Sequence, residues 1–216
     1  MTCIKYIFNL YDCQQMSDAL IQNSLTNRNS GIGRRKQRGG GVILVYKDGK
    51  RLSFSVTPST FELLGAQMTF ASSALIIIAV YRPGGDPVNS QFFDELAAVL
   101  EQLATYSCPI VVTGDLNLHL DVTDSGNTRR LQELLDTFGL CQFVSTPTHR
   151  DGHTLDVVIT RADLSPPVIE VRPSDEFSDL GLFCSSCHCR DLRYGSLTSA
   201  PEHGETSRMT CRWWHK

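Results

Sequence analysis

Short apolar blocks separated by turn residues run through the middle of the chain, and at two places their period lengthens from that of a strand to that of a helix. Val42 to Tyr46 reads as a strand, Lys47-Asp-Gly49 as a hairpin turn, and Leu52 to Val56 as the returning strand. Phe61 to Phe70 and Ala74 to Tyr81 are two further extended segments. Phe92, Phe93, Leu96, Val99, Leu100 and Leu103 then recur at helical spacing, which predicts a helix laid against a sheet. The β-branched run Ile110 to Thr113, between Pro109 and Gly114, predicts a buried strand. A second helix is expected from a cap at Asn127 or Thr128, with Leu131, Leu134, Leu135 and Phe138 as its apolar stripe and Gly139 as its stop. Strands at Cys141 to Val144, Val157 to Thr160 and Val168 to Val171 complete the pattern, followed by the short apolar run Leu180 to Phe183.

The flanks are less regular. Residues 1 to 38 form a poorly patterned segment, in which Ile4 to Leu10 suits a strand or a helical turn and Gln14 to Leu25 a weak helix. Asn23 to Gly33 has the composition of a flexible linker, and Arg34, Arg35, Lys36 and Arg38 suit a solvated basic loop better than a phosphate contact. One domain is expected over residues 39 to 183, and a disordered tail over 184 to 216.

Polar residues at strand ends change this picture from fold to chemistry. A buried strand has no use for the polar groups that follow Thr113. In an extended chain Asp115, Asn117 and His119 share one side while Leu116, Leu118 and Leu120 point into the core. A carboxylate beside an amide can orient a water and bind an anionic oxygen, the minimum needed to hydrolyse a phosphate ester. The plainer alternative is a turn at a strand end. Asp156, among the β-formers Val157 to Thr160, requires a polar partner, because an unpaired buried charge is expensive. His119 reads as a surface residue, while His149 and His153 sit on a loop nearby. The triplet Gly39-Gly-Gly41 precedes a strand and is followed by no Lys-Ser/Thr pair, so it is not a P-loop.

Composition excludes little. With 41% hydrophobic and 20% charged residues the sequence suits a globular domain, and the formal net charge of −3 gives no basic surplus for a nucleic acid. No apolar run reaches the roughly 20 residues a membrane span needs, and no signal peptide is evident, so an intracellular location, cytoplasmic or nuclear, is expected, with no membrane partner. Reduced cysteines follow from that location. Cys184, Cys187, His188 and Cys189, with His203, Cys211 and His215, lack a completed zinc-ligand spacing and are read as tail sequence.

Six stretches, in this order and spacing, resemble the endonuclease/exonuclease/phosphatase superfamily, and more narrowly the endonuclease domain of LINE-type non-LTR retrotransposons. They are Gly39-Gly-Gly-Val42, Val80-Tyr-Arg-Pro83, Val112-Thr-Gly-Asp-Leu-Asn117, Pro147-Thr-His149, Gly152-His-Thr-Leu-Asp156 and Ser178-Asp179. The resemblance implies a four-layer α/β sandwich of two mixed sheets flanked by helices, and magnesium-dependent cleavage of DNA. By that resemblance Asp115 orients or deprotonates the attacking water, Asn117 and Tyr81 bind the phosphate, and Thr154 lies near it. Asp156 would hold a histidine supplied by a Ser-Asp-His motif, and Asp179 would lie near the metal and the phosphate.

The chain departs from the family in two places. Leu180 stands where that motif has histidine, and no glutamate precedes Glu62, so the principal metal-binding glutamate and one or more N-terminal strands are expected to be missing. Asn9 is the residue available to match the family's first-strand asparagine. An impaired endonuclease is therefore expected, with two alternatives. One is an inactive relic or interaction protein that self-associates through an exposed sheet edge. The other is a phosphoesterase acting on small or lipid phosphates.

Overall fold

The computed structural model describes residues 7–9, 31–37, 40–46, 49–70, 73–171 and 182–186. Strands β1 (Ile7–Asn9), β2 (Gly31–Gln37) and β3 (Gly40–Tyr46) form an antiparallel sheet in the order β1-β3-β2. A mixed sheet is built from β4 (Gly49–Arg51), β5 (Glu62–Phe70), β6 (Ser73–Tyr81), β7 (Ile110–Asp115), β8 (Leu140–Gln142) and β9 (Asp156–Arg161), in the order β4-β5-β6-β7-β9-β8. Helix α1 (Ser90–Ala104) connects the parallel pair β6 and β7, and α2 (Gly126–Thr137) follows β7. Strands β10 (Val168–Val171) and β11 (Leu182–Ser186) pair antiparallel. The mixed six-stranded sheet with its helices is the expected α/β fold, whereas the second sheet is antiparallel and not mixed.

Each face of the mixed sheet has its own core. The alternation Ile76, Ile78, Val80 and Ile110, Val112 faces the helices, where it packs with Phe92, Leu96, Leu100 and Leu131. The other parity, Leu75, Ile77, Ala79 and Val111, packs with Val42 and Leu44 of β3. The central strands are therefore apolar on both faces, as their unbroken hydrophobic sequence requires. The stripe expected for α1 is the buried face observed, and the side chain of Asn89 caps its first turn by accepting from the Phe92 amide at 3.0 Å.

Several expectations need correction. Lys47 to Gly49 does not close a hairpin: both edges of β3 are taken by β1 and β2, and β4 pairs with β5 in the other sheet. Leu52 to Val56 is not a returning strand. After one further ladder bond, Leu52 to the Gly65 carbonyl, residues 52–60 run beneath α1. There Gln102 accepts from the Ser55 amide and hydroxyl, and Glu95 accepts from Ser59 and Thr60 at 2.6–3.0 Å. Burial raises the proton affinity of Glu95, but these bonds outweigh it and hold the carboxyl at about 2.

The basic residues Arg34, Arg35 and Lys36 lie in strand β2 and not in a loop, and β1 occupies part of the segment read as a strand or helical turn. The N-cap of α2 is Ser125; Thr128 is buried inside the first turn and donates to the His119 carbonyl. Strand β8 ends at Gln142, because the Gln142 side chain turns back to pair with both backbone groups of Val144. Cys141 is disulfide-bonded, against the expectation of reduced thiols, whereas Cys108 is free. The expected weak helix at Gln14 to Leu25 lies outside the described residues; of the tail expected over 184 to 216, Cys184 to Ser186 instead lie in β11, paired with β10, and the rest lies outside the described residues. Among the described residues no helix is long and apolar enough to cross a membrane.

Gly114 sets the approach of the two parallel strands. Its φ is +134°, and a Cβ there would collide with the Val80 carbonyl oxygen. Gly114→Ala is expected to lower stability by at least about 3 kcal/mol, combining a disallowed φ with a backbone clash. Urea unfolding checks this; a loss below about 1 kcal/mol would show that the strands can part there at little cost.

Candidate active site

Strand register assembles the site. Glu62 on β5 lies opposite Tyr81 on β6, Tyr81 opposite Asp115 on β7, and Asp115 opposite Asp156 on β9. Directly paired residues project to the same face of a sheet, and by parity this is the face toward β3. Four polar residues from four strands thus form one row, each no more than 6% exposed. Tyr81, Asp115 and Asp156 are brought together as the sequence predicts. Glu62, noted in the sequence only as the first glutamate, joins them. Its signal was present in the alternation of β5, where Leu64, Ala66 and Met68 share its buried parity.

Beyond Asp115 the chain stops being extended. Asn117 adopts φ +48°, a left-handed conformation that asparagine tolerates better than most residues. Its backbone amide donates to Asp115 Oδ1 at 2.7 Å, and its side-chain Nδ2 donates both to Asp115 Oδ2 at 2.8 Å and to the Arg82 carbonyl at 2.7 Å. Both amide hydrogens of Asn117 are thereby directed at protein acceptors, so in this arrangement the residue acts on Asp115. Leu116, Leu118 and Leu120 are buried as expected. The left-handed turn carries His119 away from Asp115 to the surface, where its ring lies 4.1 Å from that of His153.

The loop before β9 is tied to the same region. Asp121 accepts from the Thr154 amide at 3.0 Å and pairs with His153 Nδ1 at 3.0 Å. Thr154 is buried, with its hydroxyl donating to the Thr146 carbonyl. The Thr148 hydroxyl accepts from the amides of Leu155 and Asp156. Asp121 and Thr148 were missed in the sequence as site-supporting residues, because nothing local shows which amides a distant side chain will reach.

Two buried carboxyls face each other at the centre. Burial, and then the charge of Asp156, push Asp115 up to about 7, against the opposing bonds from Asn117 and the nearby Arg82. Burial likewise raises Asp156 to about 6, opposed by a bond from Thr148 and the charge of His149. Asp156 Oδ2 is buried with no hydrogen-bond partner among the described residues. The polar partner expected for Asp156 is thus only partly present. Among the described residues no three His, Cys, Asp or Glu side chains converge to hold a metal ion. Asp179, the metal candidate, and Leu180 lie outside the described residues.

The folded state keeps the protons of Asp115 and Asp156 to about pH 7 and 6, whereas unfolded carboxyls release theirs near 3.9. Between those limits the folded state binds more protons, so stability falls as pH rises, by at most about 1.4 kcal/mol per unit for each group. Urea midpoints are expected to drop from pH 5 to pH 8 in the wild type and to drop less in Asp115→Asn. Equal pH dependence of the two proteins would contradict the assignment.

Residues 75–179 match the family model described as endonuclease-reverse transcriptase. No curated protein sequence matches the chain significantly. Among solved structures, the endonuclease domain of TRAS1, a telomere-specific non-LTR retrotransposon, superposes with a TM-score of 0.54 at 13% identity, covering 74% of this chain and 82% of that one. The human Nocturnin catalytic domain gives 0.51 at 14% identity, covering 82% and 78%. An endonuclease/exonuclease/phosphatase family protein from Leptotrichia buccalis gives 0.50 at 9% identity, covering 84% and 85%. At such identities the likeness is one of fold, and it agrees with the family match over the strands that carry Tyr81, Asp115 and Asp156. Over residues 75–179 the sequence thus matches the endonuclease-reverse transcriptase family model, and the fold is the one shared with these endonuclease/exonuclease/phosphatase structures.

Proposed function

We propose that this domain hydrolyses phosphodiester bonds in DNA by an endonuclease-type reaction, at a rate impaired by the sequence departures near its C-terminal end. The observation that carries the reading is the buried row of Tyr81, Asp115 and Asp156 with Asn117 clamped onto Asp115. A carboxylate raised to about 7 is matched to accepting a proton from water near neutral pH, where an ordinary aspartate would be too weak a base. Asn117 fixes both oxygens of that base, so that its proton-accepting direction is set before substrate arrives. In this reading Tyr81, in register beside Asp115, and Thr154, at the loop before β9, bind a phosphate oxygen.

Asp156 faces this base with an oxygen that has no partner among the described residues, which suits a cationic or imidazole partner. In the sequence the matching motif ends in Leu180, so the imidazole that would neutralise developing charge is missing. One such donor is worth roughly 10²–10³ in rate elsewhere. Magnesium dependence belongs to this proposal as well. Since the described carboxylates do not complete a metal site, no step is assigned to the ion.

The test is nicking of supercoiled plasmid with magnesium, comparing wild type, Asp115→Ala and Leu180→His. Slow nicking is expected from the wild type, a loss of at least about 10² in Asp115→Ala, and a gain in Leu180→His. Because the base works only when deprotonated, the rate should fall as pH drops through about 7. Nicking that survives Asp115→Ala, or hydrolysis of small phosphate esters with DNA untouched, would overturn the proposal.

A further inference from the structure

Arg82 is the least expected buried side chain near the site. It is 3% exposed, directly follows Tyr81, and is absent from the roles implied by the resemblance. Its guanidinium donates through Nε to the Leu116 carbonyl at 2.7 Å, through Nη2 to the Asn117 carbonyl at 2.9 Å, and through Nη1 to the Asp86 carbonyl at 2.8 Å. Its backbone is engaged on the same loop. The Arg82 amide donates to the Asp115 carbonyl at 2.8 Å, and the Arg82 carbonyl accepts from Asn117 Nδ2 at 2.7 Å. One residue thus holds the backbone carbonyls of Asp115, Leu116 and Asn117 in succession, across the point where φ turns positive.

We propose that Arg82 is a positioning residue: its guanidinium fork locks the left-handed turn at Asn117, and through that turn it aims the Asn117 amide at both oxygens of Asp115. The proposal deepens the reading of Asp115 as the base, but the contacts it rests on do not require that the domain cleaves anything.

The chemistry requires arginine. A fixed, planar set of donors can reach carbonyls on two loops at once, whereas the single ammonium of lysine is a point donor that cannot span them. A left-handed asparagine is unfavourable without such restraint. Packing supports the same arrangement. The Arg82 guanidinium lies 5.9 Å from the Phe92 ring centroid, which anchors it to the first turn of α1. On the other side, Gly84 leaves room for the Asn117 amide, since a Cβ there would come within 2.7 Å of Asn117 Oδ1. Arg82 also places a positive charge beside Asp115, which opposes the larger effect of burial on that carboxyl.

Arg82 would thus act in two separable ways, by geometry on Asn117 and by charge on Asp115. Two readouts that need no catalysis distinguish them: hydrogen exchange of the Asn117 backbone amide, and titration of the Asp115 carboxyl followed by NMR. In Arg82→Met the Asn117 amide is expected to exchange at least about tenfold faster, the scale of one lost hydrogen bond from a charged donor. The Asp115 midpoint should also rise above its wild-type value. In Arg82→Lys, which keeps a charge but loses the fork, exchange should still quicken while the midpoint moves less.

Amides of β6 and α1 serve as internal controls for folding. Should Arg82→Met fail to fold, Arg82→Lys and Gly84→Ala carry the test. Gly84→Ala crowds the Asn117 amide without touching the guanidinium, and should quicken Asn117 exchange as well. Folded variants in which both Asn117 exchange and the Asp115 midpoint stay at wild-type values would overturn the proposal. An inert wild type in plasmid nicking with these shifts intact would leave Arg82's role standing and remove only the endonuclease reading.

Discussion

Cross-strand register is the constraint on which the rest depends. Glu62, Tyr81, Asp115 and Asp156 share one line because four strands pair in one alignment, and a slip of one residue would send each side chain to the helix-facing core. The register is held by the apolar alternation on both faces of β6 and β7, which leaves no neutral way to shift either strand. The polar row is therefore a by-product of how the apolar residues pack, and its burial is imposed on the carboxyls.

Burial of carboxyls in this position has a stability cost and a chemical use, and both come from the same shift. An aspartate that keeps its proton to about pH 7 destabilises the fold once ionised, yet only such an aspartate is basic enough to take a proton from water at neutral pH. The surrounding hydrogen bonds limit the cost without abolishing it. Asn117 satisfies both oxygens of Asp115, Thr148 bonds toward Asp156, and one oxygen of Asp156 has no partner among the described residues. Such an orphaned group is tolerated where the rest of the molecule is well packed, and here the packing is supplied by the cores on either side.

Much of this was legible in the sequence, for physical reasons that also explain the failures. The stripe from Phe92 to Leu103 and the strand from Ile110 were readable because a helix or strand between two apolar layers leaves its period in the chain. The leucines alternating after Asp115 correctly marked the inward side of the turn. Leu52 to Val56 misled because alternation cannot reveal that Glu95 and Gln102, more than 30 residues away, capture that segment's donors. The strand at Gly31–Gln37 was hidden by glycines and charges that ordinarily mark loops; only pairing with β3 makes it a strand. Glu62 and Arg82 escaped for a related reason. A residue's place in a cross-strand row, or its reach to carbonyls on another loop, is a property of tertiary pairing.

The most direct measurement is titration of the Asp115 and Asp156 side-chain carboxyls in the folded protein, using isotope-labelled aspartate and NMR. Burial in a shared row predicts midpoints of about 7 for Asp115 and about 6 for Asp156. Two midpoints near 4 would mean that both carboxyls are solvated. The buried row, and the neutral-pH base built on it, would then have to be abandoned.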